Sequence, residues 1–236
     1  LSKNLLKWGN IFSFRFYYRS YVELKKSFKS IQNTKHWFFD MKKPMSSYLV
    51  GFAIGGYNKK VIESASGIPI ELYYEPTDFT KVEPTYRYTQ HIFDFLETEI
   101  GVPYPWQNYK QVPVQDFLYA GMENTTCTIF SNQYVIDSTA FVDKNYVNVN
   151  AHELAHHWFG DLVTETSSEH HWLHEGFASF YAYLAERIFL AIIITIGICW
   201  KRPTLYNDFL EMMEAKHCEI QGPVALLFMK KELGPW

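Results

Sequence analysis

"NVNAHELAHHWFGD", residues 148–161, decides how the rest of the chain is read. His152 and His156 stand four apart, with Glu153 directly after the first. On an α-helix, positions four apart share one face. Two imidazoles can therefore point at one metal ion. Glu153 is turned about 100° round the helix from His152. That puts its carboxylate beside such an ion, not on it. Zinc in a hydrolase takes three protein ligands and leaves a position open for water. Bound zinc lowers the pKa of water toward ~7, and a neighbouring carboxylate can take the proton and return it to a leaving amine. A third ligand stands in "HHWLHEGFASF", which begins at His170: Glu175 lies nineteen positions after His156. Chance yields His-Glu-x-x-His with a glutamate at that later position in roughly 0.2% of shuffled chains, so a solvated histidine-rich helix is the weaker reading.

Four more histidines crowd the region. His157, His170 and His171 read as surface residues or as supports of the ligands. His174, directly before Glu175, reads either way.

The chain around this stretch is that of a globular protein. It has 236 residues, 47% hydrophobic and 18% aromatic, enough for one large domain or one and part of another. With a net charge of −3, nothing suggests a surface for nucleic acid or anionic lipid. Cys127, Cys199 and Cys218 show no paired spacing, so neither a disulfide framework nor a zinc knuckle is expected. "IFLAIIITIGICW", 188–200, is apolar but too short for the ~20 residues a spanning helix needs. The first residue is Leu1, and a fragment without a signal peptide is expected.

Residues 1–35 show no usable period. From "HWFFDMKKPMSSYLVGFAIGGYNKK" onward, short β-prone runs are broken by Pro and Gly-Gly, and "IPIELYYEP", 68–76, alternates like a strand. "PTDFTKVEPT" reads as a linker and puts a domain boundary near residue 80. "TYRYTQHIFDFLETEIG", 85–101, carries Tyr88, Ile92, Phe95, Leu96 and Ile100 at helical spacing, with Gly101 as C-cap. "TTCTIFSNQYVI", 125–136, reads as a strand. Helices are expected over 145–159, stopping at Gly160, and over 172–187, with Leu173, Phe177, Phe180, Tyr181 and Leu184 as the buried face.

Upstream of the histidines lies "FLYAGMENTTCTIF", 117–130, in which Gly121 and Met122 lead into Glu123 and a β-prone run. A carboxylate there can pair with a cation, and a peptide's α-amine (pKa ~7.7–8.0) is one.

"AGMEN", "HELAH" and "WLHEG" together resemble the zinc aminopeptidases of the alanyl aminopeptidase and leukotriene-A hydrolase family, which carries Gly-x-Met-Glu-Asn, His-Glu-x-x-His and a later zinc-binding glutamate. "KPMSSYLVGFAIGGY" and "GVPYPWQNYKQVPVQDF" resemble its flanking segments, so the likeness covers about 36–187. It implies an α+β fold: a thermolysin-like zinc peptidase catalytic domain over 81–187, preceded in 1–80 by the tail of an N-terminal β domain. It implies one Zn2+ on His152, His156 and Glu175, Glu153 as general base, and Glu123 holding the free amine of a peptide substrate. Gly121 and Met122 would line the first substrate pocket. The implied activity is removal of N-terminal residues from peptides. A catalytically impaired zinc-binding fragment and the family's epoxide-hydrolase branch are the alternatives.

The chain departs from the family at Ala120 (usually Gly), His174 (commonly a side-chain amide) and Ala182 (often acidic). It also lacks the Tyr-Glu-Lys-Gly segment whose tyrosine stabilises the oxyanion, and Tyr206 stands in unmatched surroundings. Reading 188–200 one base back permits D-I-F-G-D-N-Y-Y-Y-W, and the same shift near 228–236 permits F-Y-E-K-G-A-W-A. A single frame slip near Arg187 accounts for both, so 188–236 is expected to be out of frame. The codons of the source nucleic acid test this directly: codons that forbid those readings end the idea.

Overall fold

A computed structural model describes residues 21–29, 35–41 and 43–190. The segment expected to be out of frame lies, from residue 191 on, outside the described residues. The chain divides into two units, one up to Met45 and one from Ser46 onward. In the first, β1 (Tyr21–Lys29) pairs antiparallel with β2 (Lys35–Met41). β1 falls in the stretch whose sequence shows no period. Irregularities at Val22/Glu23 and Leu24/Lys26 shift its register, which spoils the alternation a strand otherwise displays.

The second unit is built on a five-stranded mixed sheet flanked by helices. Its strands are β3 (Asn58–Glu63), β4 (Pro69–Tyr74), β5 (Tyr109–Val114), β6 (Gly121–Met122) and β7 (Cys127–Ser131), in the order β3-β4-β5-β7-β6. β4 pairs parallel with β5, and β5 with β7, while β3 and β6 run antiparallel at the edges. The sheet therefore continues across residue 80. Residues 76–85, read as a linker, form a 3-10 stretch over Pro76–Lys81 and the start of α1 (Val82–Tyr86). Glu83 and Arg87 stiffen it with a two-pronged ion pair four residues apart. The β-prone run Tyr48–Ile54 forms no strand; a 3-10 turn at Ser47–Leu49 opens it, and Tyr48, Val50, Phe52 and Ile54 are exposed.

α2 (Thr89–Ile100) starts four residues later than the helical spacing predicted and ends as expected at Gly101, whose φ of 70° suits glycine. Ile92, Phe93, Leu96 and Ile100 are buried on its inner face. α3 (Val147–Ala155) packs against α2, β6 and α4 (Trp172–Phe189). α3 has almost no wet side: Val147, Val149, Asn150, Ala151, Leu154 and Ala155 are all buried. Among the described residues, no helix is long and apolar enough to cross a membrane.

Candidate active site

α3 carries the first histidine and stops short of the expected residue 159. His156 is its C-cap, and the His156 N–H donates to the His152 carbonyl at 3.2 Å. The chain then turns sharply. Gly160 adopts φ 144°, where a Cβ would lie 3.3 Å from the His156 carbonyl oxygen and 3.4 Å from its Nδ1. Asp161 N–H closes the turn on the same carbonyl at 2.9 Å. This turn fixes the second histidine. His156 Nδ1 lies 3.1 Å from the Phe159 carbonyl, which can only accept, so Nδ1 carries the hydrogen and Nε2 keeps its lone pair. Burial and neighbouring His152 lower the His156 pKa to about 3, so the ring is neutral, the state a metal ligand requires.

The third member arrives on α4. Phe159, just beyond the histidines, stacks on Phe177 at 4.6 Å and on Tyr181 at 5.3 Å. The buried face of α4 is rotated from the expected one. Ala178, Ala182 and Ala185 sit at the interface with Phe180 and Tyr181, whereas Leu173, Phe177 and Leu184 are only half-buried. Small side chains let the helices approach closely. The atom set His152 Nε2, His156 Nε2 and the Glu175 carboxylate then falls within 4.8 Å. The two imidazole nitrogens are 3.1 Å apart, and they lie 3.3 and 3.7 Å from Glu175 oxygens. Ligands at the 2.0–2.2 Å of zinc sites stand about 3.3–3.6 Å apart at tetrahedral angles. The spacing and the donor set, two imidazoles and a carboxylate, fit zinc. A hydrogen bond from His152, working against partial burial, holds the half-exposed Glu175 carboxyl down to about 2.

Glu153 faces the other way, toward β6. It is buried, and Gly121 makes the space: a Cβ there would overlap its Oε1 and stand 2.6 and 2.7 Å from its Cδ and Cγ. Met122, next to Gly121 in β6, is half-buried. Glu123 follows at the head of the β6–β7 turn, which Cys127 N–H closes on the Asn124 carbonyl at 2.7 Å. Thr126 takes φ 66° in that turn, a strained value for a β-branched residue. The Asn124 amide donates to the Leu49 carbonyl at 3.2 Å and ties the turn to the preceding segment. Burial raises the Glu123 pKa, opposed by its own backbone N–H. Burial, then Glu123 and Glu175, push Glu153 well above the usual carboxylate range. Three carboxyl groups thus gather beside the two imidazoles, a pocket that favours cations.

His157 is buried inside the domain. Its Nδ1 meets the Tyr104 hydroxyl at 2.7 Å, and its ring stacks on the phenol. Burial lowers its pKa to about 3. His170 is exposed. His174, ambiguous in sequence, is fully buried and lies 2.6 Å from Glu165, which also receives His171 at 3.1 Å. Sequence reasoning missed Glu165 altogether; the available signal was the spacing Glu-x5-His-x2-His.

The "Peptidase family M1 domain" pattern matches residues 85–219, more than half of the chain, and continues through 188–219. Over 150 residues the chain is 35% identical to glutamyl aminopeptidase of Bos taurus and 32% identical to that of Homo sapiens, covering 62% of this chain and 16% of each relative. Over 161 residues it is 35% identical to leucine aminopeptidase 2 of Yarrowia lipolytica, covering 68% of this chain and 23% of the relative. It thus spans about a sixth to a quarter of the length of these curated relatives. A pattern match over more than half its residues places this chain in peptidase family M1.

Proposed function

We propose that this chain is the metal-binding part of a zinc-dependent aminopeptidase acting on peptides with a free N-terminus. The convergence of His152, His156 and Glu175 at tetrahedral spacing, with Glu153 buried alongside, carries the reading. The names of its relatives, glutamyl and leucine aminopeptidases, support it. The catalytic domain would be thermolysin-like. Because β3 and β4 share its sheet, we place its start ahead of β3, with the end of an N-terminal β domain before that.

His152, His156 and Glu175 would hold one Zn2+. When bound, that ion supplies a Lewis acid for the scissile carbonyl and an acidified water. Glu153 takes a proton from the attacking water and delivers it to the leaving amine. Its dry position makes it a stronger base than a solvated carboxylate. Glu123 pairs with the substrate's α-ammonium, and that charge in turn favours the ionised form of its carboxylate. This anchoring sets the first peptide bond over Glu153, so residues leave one at a time. Gly121 and Met122 line the pocket for the departing residue.

The test is cleavage of alanyl, leucyl and glutamyl anilides beside their N-acetylated twins, with and without chelator. Chelator-sensitive cleavage confined to free-amine substrates is expected. Equal cleavage of the acetylated twins would refute the role of Glu123. A second reading, a zinc-binding piece without turnover, is favoured by the absence of a Tyr-Glu-Lys-Gly segment from the sequence. Loss of an oxyanion donor costs about 10²–10³ in turnover. Stoichiometric zinc without cleavage of any anilide would establish it.

A further inference from the structure

We propose that Glu165, His171 and His174 form a second, weaker site for a divalent transition cation such as Zn2+. Their ligand atoms lie within 4.8 Å of one another. Two imidazoles and a carboxylate are a zinc donor set. The glutamate sits between the rings: Oε1 is 3.1 Å from His171 Nδ1, and Oε2 is 2.6 Å from His174 Nε2. His174 Nε2 accepts the Glu165 backbone N–H at 3.0 Å, a hydrogen bond that a cation on Nε2 displaces. Glu165 Oε2 is buried and has no hydrogen-bond partner. A buried carboxylate oxygen without a partner is costly, and a cation in the cluster offsets that cost.

Local chain structure builds this site. All three residues fall between 165 and 174, on the loop with the 3-10 turn Ser168–His170 and on the first turn of α4. The His174 side chain is fully buried and that of Glu165 is 9% exposed, while the His171 side chain is 46% exposed, so an ion can enter from the His171 side and keep an open position for water. His171 also links the two sites, since its Nε2 lies 3.7 Å from Glu175. Two cations separated by one imidazole repel. The second ion is therefore expected to bind about 10-fold or more weakly than the first.

The full chain, stripped with chelator, is titrated with Zn2+ against a chromophoric competitor. Two equivalents are expected, one tight and one weak. Glu165→Gln and His171→Ala should each lose the weak equivalent and keep the tight one, which also reports that the variant is folded. If Glu165→Gln fails to fold, His171→Ala, altered at an exposed side chain, decides alone. His156→Ala should lose the tight equivalent and keep the weak one. A single tight equivalent in the parent chain overturns the proposal, as does a weak equivalent that survives His171→Ala. A single weak equivalent abolished by His171→Ala would instead sink the active-site reading and leave this one standing.

Discussion

Gly121→Ala puts one methyl group where the proposed base has its side chain. The added Cβ would stand 2.6 Å from Glu153 Cδ and 2.7 Å from its Cγ. Carbon atoms rest about 3.5–4.0 Å apart, so the carboxylate or the β6 backbone must yield by about 1 Å. Glu153 is only 6% exposed, so it cannot swing freely into solvent. A misplacement of ~1 Å in a reacting group costs about 10²-fold in rate, equivalent to about 2.7 kcal/mol of barrier. The substitution touches none of His152, His156 and Glu175. The expected result is a kcat for the alanyl anilide about 10²-fold lower, with one tight zinc equivalent retained. Steady-state kinetics beside metal analysis reads both quantities. A variant that holds zinc and turns over within threefold of the parent would show that Glu153 is not the base, or that Gly121 does not position it.

Glu123→Gln removes the charge offered to the substrate amine. A hydrogen bond to a charged group contributes about 1.5–3 kcal/mol, so KM for free-amine anilides should rise about 10–100-fold with zinc content unchanged; an unaltered KM would contradict the anchoring role. Acid should destabilise the chelated protein over a defined window. His156 and His157 have folded pKa values of about 3, depressed by burial, against 6.5 when unfolded. The unfolded chain therefore binds more protons between those values, and stability present above pH 6.5 is lost progressively as pH falls toward 3. Glu153 and Asp161, pushed well above the carboxylate range, act in the opposite sense, so the histidine share is read by difference: the His157→Phe variant should lose less melting temperature than the parent between pH 7.5 and 5, and an identical pH profile would mean that this ring is not buried neutral. Gly160→Ala forces a side chain into φ 144° and against the His156 carbonyl, a strain of about 1–3 kcal/mol; calorimetry showing an unchanged melting temperature would remove that turn as the support of His156.

What the sequence disclosed was chemistry with fixed spacing. His152, His156 and Glu175 are legible because helical periodicity and two helices suffice to bring them together. α2 was legible because its apolar residues recur at helical intervals and Gly101 punctuates its end. The buried face of α4 was misjudged because large side chains were favoured, whereas close helix contact selects Ala178, Ala182 and Ala185. Tyr48–Ile54 has the β-prone composition of a strand, but a strand also needs a partner edge, and no local pattern encodes that. The β6–β7 turn gave no warning either: Thr126 occupies a conformation its own chemistry disfavours, imposed by the strands on either side.

The rotation of α3 about its axis poses a separate physical problem. An amphipathic helix is oriented by its apolar stripe, yet α3 is buried on nearly every side, so hydrophobic burial alone leaves its rotation poorly determined. Asn150 supplies the missing constraint. Its amide donates to the Thr89 hydroxyl at 2.8 Å, its carbonyl accepts from the Gln111 amide, and Thr89 meets Gln111 at 3.3 Å. This closed polar triangle joins α3 to α2 and β5 in a fully dry setting, where breaking any side strands a buried polar group at about 1–3 kcal/mol. Asn150 precedes His152 by two residues, which on a helix is about 200° of rotation. Locking Asn150 toward the sheet therefore turns His152 to the opposite face, toward α4 and Glu175. The aim of the first imidazole is thus set from behind, by a polar contact that rotation of the helix would break.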